Sequence, residues 1–188
     1  MSNMNMKKLG DIAEVFSGVQ VSRYIDDTAD LYPVIKNKFR YDNILDYSNE
    51  KVSQDINSKY FSKKGDIIIS LSQPNTVSIL EKNGFIIPMY FAVIRVKEGY
   101  NSSFIYHLLN SNLFHEKSYR FLEGGSLRVI KISDLRDIKI NVPDIDEQNK
   151  YAEFFNLIDQ KNKILESKKN CNNKLKEYLI QTELRGVK

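Results

Sequence analysis

The last fifth of the chain, residues 146–184, decides how the rest of the sequence is interpreted. It reads DEQNKYAEFFNLIDQKNKILESKKNCNNKLKEYLIQTEL and contains neither glycine nor proline. Its apolar side chains recur at spacings of three, four and seven residues, which predicts one face of a single long helix. That face consists of Tyr151, Phe154, Phe155, Ile158, Ile164, Leu165, Cys171, Leu175, Tyr178 and Leu179.

A helix of this length cannot bury its apolar face against a small domain. At about 1.5 Å per residue it spans roughly 55–60 Å, whereas a domain formed by the preceding residues has a diameter of about 35–40 Å. We therefore expect part of the face to meet something outside this domain, and a second helix is the most economical partner. Lys161 and Lys168 interrupt the face, which favours a specified register.

The residues before this helix predict a domain of short strands and helices. Apolar, β-branched runs at 67–71, 76–80, 90–96 and 138–142 are typical of strands. The fold class predicted is therefore α+β. A mixed α/β domain over residues 1–143 precedes one long, coiled-coil-forming helix over residues 144–188.

Two local patterns inside the domain make sharper predictions. Asn83-Gly84, followed by the apolar run 85–87, predicts a β-hairpin because both turn residues tolerate positive φ. Residues 103–115 have helical spacing, which predicts one helix. Its apolar face would contain Phe104, Ile105, Leu108, Leu109 and Leu113.

Composition excludes several classes of protein. The chain has 188 residues, 41% of them apolar, so it is not a disordered polymer. Its apolar runs are too short to span a bilayer, and it has no secretory signal pattern, so a cytoplasmic location without a membrane partner is expected. A single cysteine excludes an intrachain disulfide framework. The net charge of +4 permits a polyanionic partner without requiring one.

The sequence lacks recognisable catalytic and metal-binding motifs. There is no Gly-rich phosphate loop and no dinucleotide fingerprint. The two histidines, His107 and His115, are eight residues apart on one predicted helix, too far apart to share a metal. Acidic triplets at 159–161 and 166–168 follow Pro143-Asp144 as in some nucleases, but alternating acids and lysines on a helix usually form a solvated face. We expect no catalytic and no metal site.

Three polar segments have side chains suited to binding. Residues 36–41 (KNKFRY) interleave cations with amide and aromatic groups, which suits phosphates and base edges. Residues 70–76 (SLSQPNT) are dense in donors and acceptors directly after a predicted strand. Residues 123–128 (EGGSLR), with Lys131, combine close backbone approach with cations. Each segment could equally be an ordinary exposed loop.

Several short motifs occur in a specific order along the chain. They are 9–18 (LGDIAEVFSG), 65–70 (GDIIIS), 124–126 (GGS), 132–135 (ISDL), 138–143 (IKINVP) and Glu147-Gln148, followed by Phe155, Ile158 and Asp159. As an ordered set, they resemble the target-recognition domain and conserved helix of type I restriction–modification specificity subunits. The similarity covers almost the whole chain.

The resemblance implies a non-catalytic subunit that reads DNA sequence. Members of this family usually carry two recognition domains and two antiparallel long helices, and modification subunits dock alongside to methylate adenine. This chain has one domain and one helix, so we expect a homodimer through residues 147–184 and a symmetric, interrupted target in double-stranded DNA. The expected partners also include a modification subunit, which would hold S-adenosylmethionine, and a restriction subunit. No cofactor is expected on this chain.

The resemblance places DNA contacts in the three polar segments. The cations expected to position the DNA backbone are Lys36, Lys38, Arg40, Arg128 and Lys131. The side chains expected to reach base edges are Asn37, Ser72, Gln73 and Asn75. Tyr41 would pack on sugars or bases, and Gly124, Gly125 and Ser126 would approach a phosphate closely.

Two other functions stay open at this point. The chain could be a protein–protein module, or an anti-restriction decoy, that uses the helix alone. Such a protein has no sequence-dependent affinity for DNA. A small DNA-processing enzyme ranks last because the catalytic motifs are missing, and it predicts cleavage that depends on a divalent metal.

Overall fold

A computed structural model describes residues 5–39, 45–72, 76–120 and 129–186. The chain divides into two compact units, Met1–Asn149 and Lys150–Lys188. The predicted α+β class is confirmed, with short strands and helices followed by a long helix. The boundary at residue 143 remains a prediction.

The centre of the first unit is an antiparallel sheet with a fully apolar middle. Its order is β2 (Ala13–Ser17), β7 (Phe91–Val96), β5 (Ile67–Ser70) and β6 (Val77–Ile79). Residues 67–69 are three consecutive isoleucines without any exposed surface. Such a run, apolar on both faces, is typical of a strand covered on both sides, and it explains why the sequence predicted this strand well.

Two further strand pairs flank the sheet. β1 (Asn5–Lys8) pairs with β8 (Lys139–Val142), which joins the start of the chain to the end of the domain. β3 (Leu31–Phe39) pairs with β4 (Leu45–Lys51), with an irregularity in register between Ile35 and Phe39.

Five α-helices occur in the described residues. They are α1 (Leu9–Ile12), α2 (Ser102–Leu109), α3 (Asn112–Arg120), α4 (Ile132–Asp137) and α5 (Ile145–Gly186). The 42 residues of α5 correspond to about 63 Å of helix, in agreement with the predicted long helix. Among the helices that the structure describes, none is long and apolar enough to cross a bilayer.

Two apolar clusters among the described residues share strand β3. Ile35 belongs to the cluster around Ile68, Phe91 and Val93, whereas its neighbour Val34 belongs to the cluster around Ile86. Consecutive side chains on a strand point to opposite faces. Because β3 contributes to both clusters, it fixes their position relative to each other. The same packing anchors the β3–β4 pair at Val34 and Ile35.

The predicted hairpin at Asn83-Gly84 is wrong. Gly84 does adopt a positive φ of 89°, but β6 pairs with β5, and residues 85–87 form no strand. The Gly84 amide donates to the Ser62 carbonyl at 3.0 Å, and the Phe85 amide donates to the Ser62 hydroxyl at 2.9 Å. Tertiary hydrogen bonds to Ser62 thus replace the expected pairing.

The single helix predicted over residues 103–115 is also wrong, because it is interrupted at Asn110. There α2 ends, and the Ser111 hydroxyl accepts a hydrogen bond from the Phe114 amide at 3.3 Å, which caps the start of α3. The break rotates the apolar face of the second helix. Leu113 is 62% exposed, and Phe114 is buried in its place.

Candidate DNA interface

Few of the predicted DNA-contacting side chains lie in the described part of the chain. Lys36, Ser72 and Lys131 do, with Lys36 and Lys131 exposed and Ser72 half-buried. Asn37 and Lys38 belong to β3, but only their backbone is described. The remaining predicted residues lie outside the described ranges: Arg40, Tyr41, Gln73, Asn75, Gly124, Gly125, Ser126 and Arg128.

The three polar segments meet at one junction in the domain. The Tyr90 hydroxyl donates to the Ile35 carbonyl at 2.9 Å, next to Lys36. The Leu71 amide donates to the Tyr90 carbonyl at 2.9 Å, and the Ile130 amide donates to the Leu71 carbonyl at 3.0 Å. Ser72 and Val129 form an antiparallel bridge. These bonds connect the bases of all three segments, which are far apart in the sequence.

Tyr90 is the member of this junction that the sequence analysis missed. The pattern predicts only that it begins a strand, whereas its ring packs against the cluster around Ile68 and its hydroxyl donates to β3. A tyrosine packed against an apolar core generally finds a partner for its hydroxyl. A tyrosine at the start of an otherwise apolar strand was therefore the available signal.

Hydrogen bonds from Ser70 join the described ends of segment 70–76. The Ser70 amide donates to the Thr76 carbonyl at 2.9 Å, and the buried Ser70 hydroxyl donates to the Ser72 carbonyl at 2.9 Å. Both bonds start from the last residue of a fully buried strand. The described ends of segment 70–76 are thus hydrogen-bonded to a buried strand, and rigid supports of this kind commonly carry recognition loops.

A buried ion pair fixes the segment before β5 to the sheet. Arg95 on β7 donates to both carboxylate oxygens of Asp66, at 2.9 and 2.7 Å, and also to the Phe61 carbonyl at 3.1 Å. The side chain of Asp66 is only 2% exposed. The hydrogen bond to Asp66 raises the pKa of Arg95 above its usual value. A bidentate, buried pair of this kind holds one geometry.

The first motif stretch, residues 9–18, is held by contacts to later parts of the domain, including the segment between motif stretches 132–135 and 138–143. Arg136 of α4 donates to the Val15 carbonyl on β2 at 3.0 and 2.7 Å. Gly18 lies so close to the backbone of residues 87 and 88 that an added Cβ would fall 2.2 Å from the Ile87 carbonyl oxygen. These motifs therefore build the scaffold that carries the loops.

The Glu147-Gln148 motif fixes the beginning of α5. The Asp144 carboxylate accepts from the Glu147 amide at 2.9 Å, which caps the helix. The Gln148 side chain is almost completely buried; it accepts from the Asn101 amide and donates to the Pro143 carbonyl, both at 2.9 Å. A buried amide satisfied at both ends fixes the first turn of the helix in place.

The predicted face of α5 is exposed in the single chain. Every described side chain from 161 to 184 is exposed, including Cys171. Ile164 and Leu165 are 68% and 52% exposed, and Phe155 is half-buried. The other residues of the predicted face are exposed as well: Tyr151, Phe154, Ile158, Leu175, Tyr178 and Leu179.

Among the residues with described positions, no group of three His, Cys, Asp or Glu side chains could hold a metal ion.

Comparison with known proteins gives one family and one fold. A family model for the type I restriction modification DNA specificity domain matches residues 1–176. No curated protein sequence matches the chain.

Three solved structures share the fold at low sequence identity. The S subunit of a type I restriction–modification system from M. genitalium is 17% identical, with a TM-score of 0.60, and the match covers 88% of this chain and 41% of that one. A chain solved in work on complex assembly and conformational transition of the type I R-M system is 18% identical, with a TM-score of 0.62 and coverage of 86% and 40%. The HsdS subunit from Thermoanaerobacter tengcongensis is 17% identical, with a TM-score of 0.61 and coverage of 84% and 37%.

The chain thus spans about two fifths of the length of these solved relatives. The family consists of the non-catalytic specificity components of type I systems, and the resemblance found in the sequence is confirmed. The chain belongs to the type I restriction–modification DNA specificity domain family.

Proposed function

We propose that this chain reads one half of a bipartite DNA target and pairs with a second copy through α5 to bring methyltransferase subunits to that target. The observation that carries the proposal is the junction of Tyr90, Leu71 and Ile130, which joins the bases of three polar segments. Sequence readout needs several side chains held at fixed relative positions. One buried junction supplies this better than three independent loops.

Pairing through α5 is supported by its exposed apolar face. Exposed apolar patches of this kind mark interaction surfaces. Two copies would together provide two recognition domains and two long helices. Two identical domains related by a two-fold axis would read a symmetric target with a gap between the half-sites.

The experiment that tests the proposal is genome-wide mapping of adenine methylation. The chain is co-expressed with candidate methyltransferase subunits of type I systems, and methylated adenines are located. We expect a symmetric, interrupted motif that disappears when the chain is omitted. Methylation without any sequence preference, or none with any partner that the chain binds, would contradict a reading role and favour the protein–protein module.

Two substitutions separate base readout from backbone contact. Gln73→Ala should cost about 1–3 kcal/mol at one base pair and relax the motif there. Lys38→Ala should weaken binding to all sequences and flatten its salt dependence. Gln160→Ala, an exposed glutamine on α5, is the matched control and should leave the motif unchanged. A uniform loss from Gln73→Ala would remove Gln73 from the base-reading set.

A further inference from the structure

Tyr90 lies in a tight turn that is fixed from two sides. The Phe91 amide donates to the Pro88 carbonyl at 3.0 Å, which closes the turn around Tyr90. The Met89 amide donates to the Val19 carbonyl at 2.8 Å, which ties the turn to the chain that follows β2. The ring of Tyr90 packs on that of Phe91, with centroids 4.9 Å apart. Since backbone and ring are both held, the hydroxyl group has a defined position.

The Tyr90 hydroxyl contacts β3 where the pairing of this strand with β4 stops being regular. The two strands pair residue by residue from Leu31 to Ile35, and the register shifts between Ile35 and Phe39. The hydroxyl donates to the Ile35 carbonyl at 2.9 Å, at the last pair before the shift. An irregularity of this kind disrupts the ladder locally. The bond from Tyr90 therefore supports β3 at the start of segment 36–41.

A different hydroxyl supports the second polar segment. The Tyr90 carbonyl accepts from the Leu71 amide at 2.9 Å, and the Leu71 carbonyl accepts from the Ile130 amide at 3.0 Å, so the backbone of Tyr90 is also connected to the other two segments. Within the second segment, the Ser70 hydroxyl donates to the Ser72 carbonyl at 2.9 Å. Removing the Tyr90 hydroxyl or the Ser70 hydroxyl thus weakens the support of two different segments.

We propose that Tyr90 is a positioning residue for base recognition, whose hydroxyl holds segment 36–41 in the place from which it reads DNA. This inference rests on the proposed function and names a residue that determines its specificity. Recognition of base edges needs side chains held within about 0.5 Å of their productive positions. Attraction to phosphates, in contrast, depends mainly on the number of cations. Loss of the hydroxyl should therefore lower discrimination between sequences and leave general affinity for DNA unchanged.

Three full-length variants test this role. Tyr90→Phe removes the hydroxyl and keeps the ring on the apolar core, and Ser70→Ala removes the hydroxyl that supports the second segment. Tyr106→Phe is the chemically matched control, because Tyr106 is buried on α2 and its hydroxyl accepts from the Asn110 side chain at 3.4 Å.

Each variant is co-expressed with the methyltransferase subunits that support methylation by the unmodified chain, and methylated adenines are mapped. Binding of each purified complex to a duplex with the motif of the unmodified chain, and to one without it, is then measured by fluorescence anisotropy over a range of salt concentrations. The ratio of the two affinities reports discrimination even for a variant that no longer supports methylation. The salt dependence reports contacts to the DNA backbone.

We expect Tyr90→Phe to lower the affinity ratio about three- to tenfold, as loss of one neutral hydrogen bond implies. The motif should relax at one or two base pairs of the half-site, with unchanged affinity for the duplex without the motif and an unchanged salt dependence. Ser70→Ala should relax different base pairs, and Tyr106→Phe none. General destabilisation of the domain would not separate the three variants in this way.

An unchanged affinity ratio for Tyr90→Phe would overturn the inference. Equal relaxation by Tyr106→Phe, relaxation of the same base pairs by Ser70→Ala, or an equal loss of affinity for both duplexes would overturn it as well, because each indicates a general effect on the domain. In all these cases the unmodified chain still produces a motif, and the proposed function stands. Absence of any motif with the unmodified chain would instead refute the proposed function itself.

Discussion

The globular domain and the long helix hold similar apolar side chains in opposite surroundings. Ile67, Ile68 and Ile69 have no exposed surface, whereas Ile164 and Leu165 on α5 are mostly in water. Burying one such side chain completely stabilises a protein by about 1.5–3 kcal/mol. The domain gains this stabilisation within one chain. The helix would gain it only through a further contact, and this difference is the reason for proposing α5 as the assembly element.

Among the substitutions that test this comparison, Ile158→Glu is expected to have the largest effect. The change introduces an unpaired carboxylate at two symmetry-related positions of the proposed dimer interface. We expect about 3 kcal/mol per copy and at least a hundredfold weaker dimer, because a buried charge without a partner is costly. Light scattering over a concentration series measures it, with the exposed Gln160→Glu as control. A dimer that survives would place the interface elsewhere.

A substitution in the domain should instead lower the stability of the fold within one chain. Asp66→Ala leaves Arg95 without its carboxylate and the Lys63 amide without its acceptor at 2.7 Å. We expect the free energy of unfolding to fall by about 3 kcal/mol, since breaking a buried pair leaves an uncompensated charge. Urea unfolding measures it against the exposed Asp27→Ala. Equal stability of the two variants would show that the ion pair does not hold the sheet.

A smaller effect is expected where the domain meets the start of the helix. Gln148→Ala deprives the Asn101 amide and the Pro143 carbonyl of their partner. The expected loss is about 2 kcal/mol of unfolding free energy, because buried polar groups left without partners are penalised. Thermal unfolding followed by circular dichroism measures it, and the exposed Gln160→Ala is the control. If both variants melt alike, Gln148 does not fix the helix start.

The smallest effect is expected for an exposed ion pair, whose removal should change how folding stability depends on pH. The hydrogen bond from Lys8, at 2.7 Å, and its charge lower the pKa of the exposed Asp137. A carboxyl with a lower pKa when folded contributes stability above its unfolded value of 3.8, and this is lost as the pH falls through the folded pKa.

Asp137→Asn should therefore reduce stability slightly at neutral pH and hardly at all in strong acid. Urea unfolding at both pH values measures the difference, with the exposed Asp27→Asn as control. An equal loss at the two pH values would show that the interaction with Lys8 is not ionic.

Periodicity allowed the sequence to predict the long helix and the buried strand over residues 67–70, because both patterns repeat locally. It did not predict β4, whose sequence LDYSNEK has little apolar alternation and depends on pairing with β3. The predicted hairpin at Gly84 failed because Ser62, about twenty residues earlier, supplies competing hydrogen bonds. Local signals are reliable only where no distant partner competes.

The sequence predicted which segments belong to the candidate site, but it did not predict how they are arranged in space. Composition indicated the polar segments around Lys36, Ser72 and Lys131. Their meeting point depends on Tyr90, which is 55 residues from the carbonyl that it binds. No periodic pattern encodes a contact of that kind. The ordered motifs of the family supplied what periodicity could not, because they include scaffold residues such as Gly18.

The most direct test of the central claim is the mass of the unmodified chain in solution. Sedimentation equilibrium at micromolar concentration should give twice the 21.9 kDa of one chain. A mass of one chain at every concentration would contradict the account, since the apolar face of α5 would then remain without the partner that we infer for it.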